Sequence, residues 1–338
     1  MSCSPPPEPD HHRLLATLAR HGRLAAAATL FSTAVRTTRA LNTILTALCS
    51  SPSLLRVAPS VLLLAAPTAS PDAATFRVLA SALCRARRPN AAADLLRCMP
   101  SLLLDPDSPL CRAVLFSLCQ CAPARDAAAF LDDMRRWAVS PSVLDHRTVL
   151  RALLREGMVA EAYRVVREKM DSDGVPPTVV DFELILRAFS DRGEFDAVDE
   201  AFDEMLLRGL VPGVAVYNVY VAALCKKGDM AGARRMVECM ERAGCPPDVR
   251  TFGVVVAGCV SAGDATAARE VASEAVRRGL RWDTPALAEL VALLRADGHV
   301  AGAHELLLEV FLHGGCTRVD ASAFGQLLCA SDDCSPSL

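Results

Sequence analysis

Apolar residues in the stretch 214–248 fall into two sets at helical spacing. Val216, Tyr217, Val219, Tyr220, Val221, Leu224 and Cys225 cover one side of a first helix, as residues three and four apart do on a 3.6-residue turn. Gly228 ends it. A second set, Met230, Ala233, Met236, Val237 and Met240, steps along another helix, with Arg234, Arg235, Glu238 and Glu241 on its polar side. Gly244 and Pro246-Pro247 close that one, a glycine stop followed by residues that cannot continue a helix. The pattern predicts a helical hairpin.

The hairpin recurs. Proline stands at Pro71, Pro106, Pro141, Pro177, Pro212 and Pro247, in steps of 35, 35, 36, 35 and 35 residues. Glycine keeps the same time at Gly193, Gly228, Gly263 and Gly298, and methionine at Met99 and Met134, then at Met170, Met205 and Met240. Ala92, Ala127, Ala162, Ala233, Ala268 and Ala303 share one place, where the two helices of a hairpin must approach closely. A tandem period of this length marks a solenoid, because each hairpin leaves apolar surface on both flanks and neighbours must cover it. The expected fold is all-α: a right-handed α-solenoid of stacked ~35-residue helix-turn-helix repeats, with the first helices lining the inner wall.

Phased on the proline, eight repeats fill residues 38–320: 38–72, 73–107, 108–142, 143–178, 179–213, 214–248, 249–283 and 284–320. Residues 321–338 are a partial repeat and tail. Residues 1–37 read in two ways. The acid-free, Arg- and Ser/Thr-rich stretch 11–40 has the composition of a targeting segment. It also keeps repeat phase, His21-Gly22-Arg23-Leu24 matching Lys227-Gly228-Asp229-Met230, as a degenerate first helical pair would.

Apolar residues make up 52% of the chain and aromatic ones only 5%, which suits helix-on-helix packing better than a sheet. Formal net charge is -3, so the chain lacks the general basic excess of a sequence-blind nucleic-acid binder, and any nucleic acid must be held locally. Residues 179–213 carry nine acids against three arginines, read either as a solvated outer face or as a protein-docking one. Of the 14 cysteines, Cys49, Cys84 and Cys119 are 35 apart and Cys225 holds the same place. They read as a small buried hydrophobe rather than a metal set, since no Cys-x-x-Cys pair exists. Such free thiols fit a reducing compartment. No apolar run approaches the ~20 residues that span a bilayer.

Val216-Tyr217-Asn218, then Ala223-Leu224-Cys225-Lys226-Lys227-Gly228, then Met240, Gly244 and Pro247-Asp248 resemble the pentatricopeptide repeat, in its plain subclass as found in plant organelles. The resemblance spans 38–320. It implies single-stranded organellar RNA as partner, with one base facing each repeat, in a mitochondrion or alternatively a chloroplast. In that family two side chains choose the base: the residue after the first-helix aromatic, and the residue after the proline. The pairs here are Asn42 with Asp72, Arg77 with Asp107, Arg112 with Ser142, Arg147 with Thr178, Glu183 with Gly213, Asn218 with Asp248, Gly253 with Asp283 and Ala288 with Arg318. Asn42 with Asp72 and Asn218 with Asp248 match the family combination that favours uracil. At the flanking place that clamps bases in the family, Val180 and Ala215 fit, whereas Arg39, Pro109, Arg250 and Pro285 do not.

Arg77, Arg112 and Arg147 take one groove position in three successive repeats, and Arg151 and Arg187 lie one turn further along theirs. They read as a ladder for RNA backbone, guanidinium forks suiting phosphates, or alternatively as groups solvated or paired with Asp107 and Asp145. No catalytic residues are expected. His304-Glu305 are adjacent rather than spaced for a deaminase, and no phosphate loop or nucleophile elbow occurs. The resulting expectation is a non-enzymatic RNA binder acting in organelle RNA stability, processing, splicing or translation. No cofactor, metal, membrane or small-molecule substrate is implied, and ribosomal or RNA-processing proteins are further candidate partners. The rival is a protein-interaction or ribosome-associated scaffold.

Overall fold

The computed structural model describes residues 11–281 except 22, 34–36, 51–54 and 56–69, and scattered positions between 291 and 310. The repeat 284–320, the pair Ala288 with Arg318, Asp283, Ala303 and the tail lie outside these or are described only at isolated positions. Every regular element among the described residues is helical. The chain divides into two compact units, residues 1–176 and 177–338.

In the first unit, helices His11–Arg20 and Leu24–Thr33 precede Thr38–Cys49, and three hairpins follow. Their first helices are Ala73–Arg85, Ser108–Cys121 and Val143–Arg155, each packed on the first helix of the preceding repeat. Their second helices begin at Pro89, Ala124 and Val159. The second unit repeats the plan, with first helices Val179–Arg192, Val214–Lys227 and Val249–Ser261 and second helices Phe195–Leu207, Met230–Arg242 and Ala265–Arg277.

The residue after each repeat proline is the N-cap of the next first helix. Asp72, Asp107, Ser142, Thr178 and Asp248 all take this place, and their side chains answer backbone N–H groups that the helix leaves unpaired. The core follows the predicted periods. Met99, Met134, Met170, Met205 and Met240 are buried, as are Ala92, Ala127, Ala162, Ala233 and Ala268, with Val198 standing in for alanine in the acidic repeat.

The single 36-residue step has a local cause. Ala127 and Ala162 are 35 apart but Met134 and Met170 are 36 apart, so the extra residue lies between 162 and 170. A π-helical turn, Val165–Lys169, stands there. It absorbs the insertion inside one second helix, and the following first helix starts in phase.

At the end of each second helix the chain turns through the left-handed region. Gly174, Gly209, Gly244 and Gly279 do so with φ between 69 and 79°, whereas Leu103 and Ala138 hold the same place at 56 and 55°. A Cβ is unfavourable there by about 1–2 kcal/mol, offset in part by the flexibility glycine adds to the unfolded chain. Leu103 is fully exposed, so truncating it loses no burial. Leu103→Gly and Ala138→Gly are each expected to raise stability by about 0.5–1 kcal/mol, and Gly209→Ala to lower it, as read by thermal melting.

One repeat carries an ionisable pair, one member of it at a place that is apolar or aromatic in the other described repeats, Leu41 and Cys111 among them. Phe76, Phe182, Tyr217 and Phe252 occupy the first-helix aromatic place, and in two repeats an arginine from the end of the second helix covers the ring, Arg208 at 5.9 Å from the Phe182 centroid and Arg278 at 5.5 Å from that of Phe252. In the repeat 143–178 the corresponding residues are His146 and Asp173. Both side chains are buried, with His146 Nε2 2.9 Å from Asp173 Oδ2 but no well-aligned hydrogen bond to either ring nitrogen. Asp173 Oδ1 accepts from Arg135 Nε at 2.6 Å. This is the charge-reversed counterpart of the contact between Glu241 and Arg278, at 3.1 Å in the other unit.

Candidate nucleic-acid interface

The two Asn/Asp pairs are built by the same set of hydrogen bonds. On helix Thr38–Cys49, Asn42 donates from Nδ2 to Asp72 Oδ1 at 3.0 Å, and its Oδ1 accepts from Thr75 Oγ1 at 2.6 Å. Thr75 also accepts from the Asp72 N–H at 3.1 Å, and its own N–H donates to Asp72 Oδ1 at 2.8 Å, which closes the capping box. In the second unit Asn218 reaches Asp248 Oδ1 at a longer 3.4 Å and accepts from Thr251 Oγ1 at 2.7 Å. Thr251 and Asp248 close their box with distances of 3.1 and 2.8 Å.

Burial pushes the Asp72 and Asp248 carboxyls up, but the hydrogen bonds they accept outweigh it and hold both below the usual carboxylate range. They are therefore pure acceptors at neutral pH. This fixes each amide, because a reversed amide would set its oxygen against a carboxylate. One N–H of Nδ2 and one lone pair of Oδ1 remain for a ligand.

The sequence reading named Asn42, Asp72, Asn218 and Asp248 but missed Thr75 and Thr251, both fully buried. Their signal was available: an asparagine, an aspartate 30 residues on and a threonine three further, a spacing these two repeats share. At the pair Arg77 with Asp107 the asparagine place is held by Arg77 and the threonine place, on the next first helix, by Leu110.

Asn218 also opens onto a cavity of about 220 Å³ within the second unit, walled by Ala215, Val219 and Val254 with Arg187, Lys226 and Arg250 at its polar edge. Arg187 is tied to Glu183 at 2.9 Å and Lys226 to Asp191 at 2.8 Å. Arg250 is exposed and has no side-chain partner among the described residues.

The arginines of the first unit are arranged differently from a row of free guanidinium groups. Arg77 pairs with Asp107, and Arg112 Nε lies 3.3 Å from Asp145 Oδ2, both arginine side chains being at least half exposed. The structure thus shows the pairing with Asp107 and Asp145 that the sequence left as the alternative. The Arg77–Asp107 pair is largely exposed and of the kind that contributes about 0–1 kcal/mol, so a phosphate can displace Asp107, whereas Asp145 is buried and also closes the capping box with Ser142. Arg147 is half-buried, and Arg151 is exposed with no ion pair among the described residues. No group of His, Cys, Asp and Glu that could hold a metal, and no helix long and apolar enough to cross a membrane, occurs among the described residues. Cys119 and Cys225 are unpaired thiols pushed up to about 11 by burial.

Three family models match the chain: the PPR repeat family over residues 212–261, the pentatricopeptide repeat domain over 129–192, and the PPR repeat over 74–102 and 182–210. No curated protein matches it in sequence. Among solved structures it is similar to the pentatricopeptide repeat protein PPR10 from maize, at 20% identity and a TM-score of 0.49, covering 94% of this chain and 50% of that one. The same protein in complex with an 18-nt psaJ RNA element gives 22% identity and 0.47, covering 95% and 51%. The PPR domain of protein-only RNase P 1 from Arabidopsis thaliana, in complex with tRNA, gives 22% and 0.43, covering 55% and 96%. The chain spans about half the length of the PPR10 structures.

Proposed function

We propose that this chain, a pentatricopeptide-repeat protein, is a non-enzymatic binder of single-stranded RNA that reads uracil at two repeats and holds the intervening strand with little base preference. The observation that carries this is the locked amide of Asn42 and of Asn218. Each offers one donor and one acceptor in a fixed order, and uracil presents an acceptor, O4, beside a donor, N3–H. The arginines at the same place in the repeats 73–107, 108–142 and 143–178 suit phosphates rather than base edges. In this reading the protein acts in organelle RNA metabolism, in mitochondria or alternatively chloroplasts, by covering a transcript segment against nucleases or by keeping it single-stranded.

A protein-binding scaffold is the second reading, favoured by the carboxylates that already engage Arg77 and Arg112. Fluorescence anisotropy separates the two. The chain should bind oligouridine more tightly than oligoadenosine of equal length, and Asn42→Ala with Asn218→Ala should remove the difference. Equal or absent binding of both RNAs would leave the scaffold.

A further inference from the structure

Two consecutive repeats of the second unit build the same place differently. Tyr220, on helix Val214–Lys227, stacks its ring on that of Phe202 from helix Phe195–Leu207, with centroids 4.3 Å apart, and its hydroxyl donates to Asp199 Oδ1 at 2.6 Å. One 35-residue period later, valine replaces both rings: Val237 stands at the place of Phe202 and Val255 at that of Tyr220. The earlier site is filled by the chain's own aromatics, as close packing requires. At the later one a groove of about 290 Å³ runs between helices Met230–Arg242 and Ala265–Arg277, with Phe252 and Val255 as its floor and the partly buried Val237 and Val271 on its sides.

The rim has changed with the floor. Arg234 takes the place of Asp199, is exposed, and makes no ion pair among the described residues. Glu238 and Glu270 line the same groove and are likewise exposed without an ion pair among the described residues. Arg278, which covers the Phe252 ring, is already held by Glu274 at 2.7 Å and by Glu241 at 3.1 Å. The unbalanced charge at the rim is therefore negative, which repels a phosphate chain and attracts a cationic partner.

We infer that this groove is a docking site for a tyrosine side chain of a partner protein, flanked on the partner's own chain by lysine or arginine. The ring occupies the space that Phe202 and Tyr220 fill one repeat earlier and packs on Phe252. Its hydroxyl, which at Tyr220 donates to a carboxylate, here accepts from the Arg234 guanidinium. The flanking cations pair with Glu238 and Glu270. Tyrosine anchors interfaces of this kind because it brings a large apolar body, a polar tip and little rotamer freedom to lose. The groove uses other residues than those assigned to RNA, and the inference does not depend on the RNA reading.

The test offers the immobilised full chain a displayed library of random short peptides, and then follows a fluorescent copy of the enriched peptide by anisotropy. Enriched peptides should share a tyrosine with lysine or arginine beside it, and replacing that tyrosine by alanine should weaken binding about thirtyfold. Val237→Phe with Val255→Tyr, which rebuilds the stacked pair inside the groove, should abolish peptide binding and leave the affinity for a uridine oligomer at its wild-type value. A second variant avoids the core: Arg234→Ala should cancel the advantage of the tyrosine peptide over its phenylalanine form, while circular dichroism stays unchanged. Glu238→Gln with Glu270→Gln should weaken peptide binding and flatten its salt dependence. An empty selection, enrichment of peptides without an aromatic residue, or peptide affinity that survives both the filled groove and Arg234→Ala would overturn the docking site. A parallel loss of uridine binding in the filled variant would assign the groove to RNA and overturn it as well.

Discussion

Asp173→Ala is expected to lower the stability of the chain by about 2 kcal/mol. Breaking a buried ion pair commonly costs about 3–5 kcal/mol, and the smaller figure applies because Arg135 keeps 41% of its side chain in water. Asp173 is almost fully buried, and its loss removes the carboxylate that accepts from Arg135 Nε at 2.6 Å and lies 2.9 Å from His146 Nε2. The same cluster makes stability depend on pH. Burial pushes the His146 imidazole below the usual histidine range, and Asp173 opposes it only in part. The folded state thus holds the neutral ring, so this contribution is complete above about pH 6.5, the ordinary histidine value. It is lost as pH falls from there through the lowered folded value. Denaturant unfolding from pH 8 to 5 should show that loss in the wild type and a flatter profile in His146→Phe, which restores the aromatic used at Phe182 and Phe252. A pH-independent wild type in this range would show that His146 does not titrate with folding.

Thr251→Val and Thr75→Val together are expected to reduce the preference for uridine over adenosine about tenfold while leaving overall RNA affinity within a few-fold. Valine keeps the shape of threonine and removes the hydroxyl that holds Asn218 or Asn42 by its oxygen. The amide then rotates, and its donor and acceptor no longer meet a base in fixed order. A well-formed bidentate contact to a base edge contributes about 1–3 kcal/mol of discrimination, a range that includes a tenfold change. Each valine also leaves the N–H of Asp248 or Asp72 without its acceptor, so a modest drop in melting temperature should accompany the change. Competition binding of the two homopolymers measures the effect. Unaltered preference would mean that aspartate alone orients the amide.

Much of the fold was legible because the repeat writes the same physics many times. Proline, the capping residue after it, the buried methionine and the small residue at the helix crossing each recur in step. The 36-residue step was visible as a number, whereas its accommodation as a π-helical turn depends on which backbone bonds shift. Asn42 and Asn218 could be singled out from their place in the period. Thr75 and Thr251 were overlooked because a threonine at the third helical position reads as an ordinary capping partner. Only the fold shows that the same hydroxyl reaches an asparagine 33 residues earlier. The period gives the arginines their place in the repeat but does not decide their neutralisation. Arg77 meets an N-cap aspartate and Arg112 an aspartate three residues further on, contacts set by side-chain reach across adjacent helices.

The measurement that bears most directly on the account is selection of bound RNAs from a randomised pool by the purified chain, followed by sequencing. At one base per repeat, the repeats 38–72 and 214–248 stand five apart, so the selected RNAs should share two uracils about five nucleotides apart with little preference between them. Asn42→Ala should erase one of the two and Asn218→Ala the other. A pool that emerges without positional preference, or a preference that survives both substitutions, would contradict base reading by the two asparagine modules.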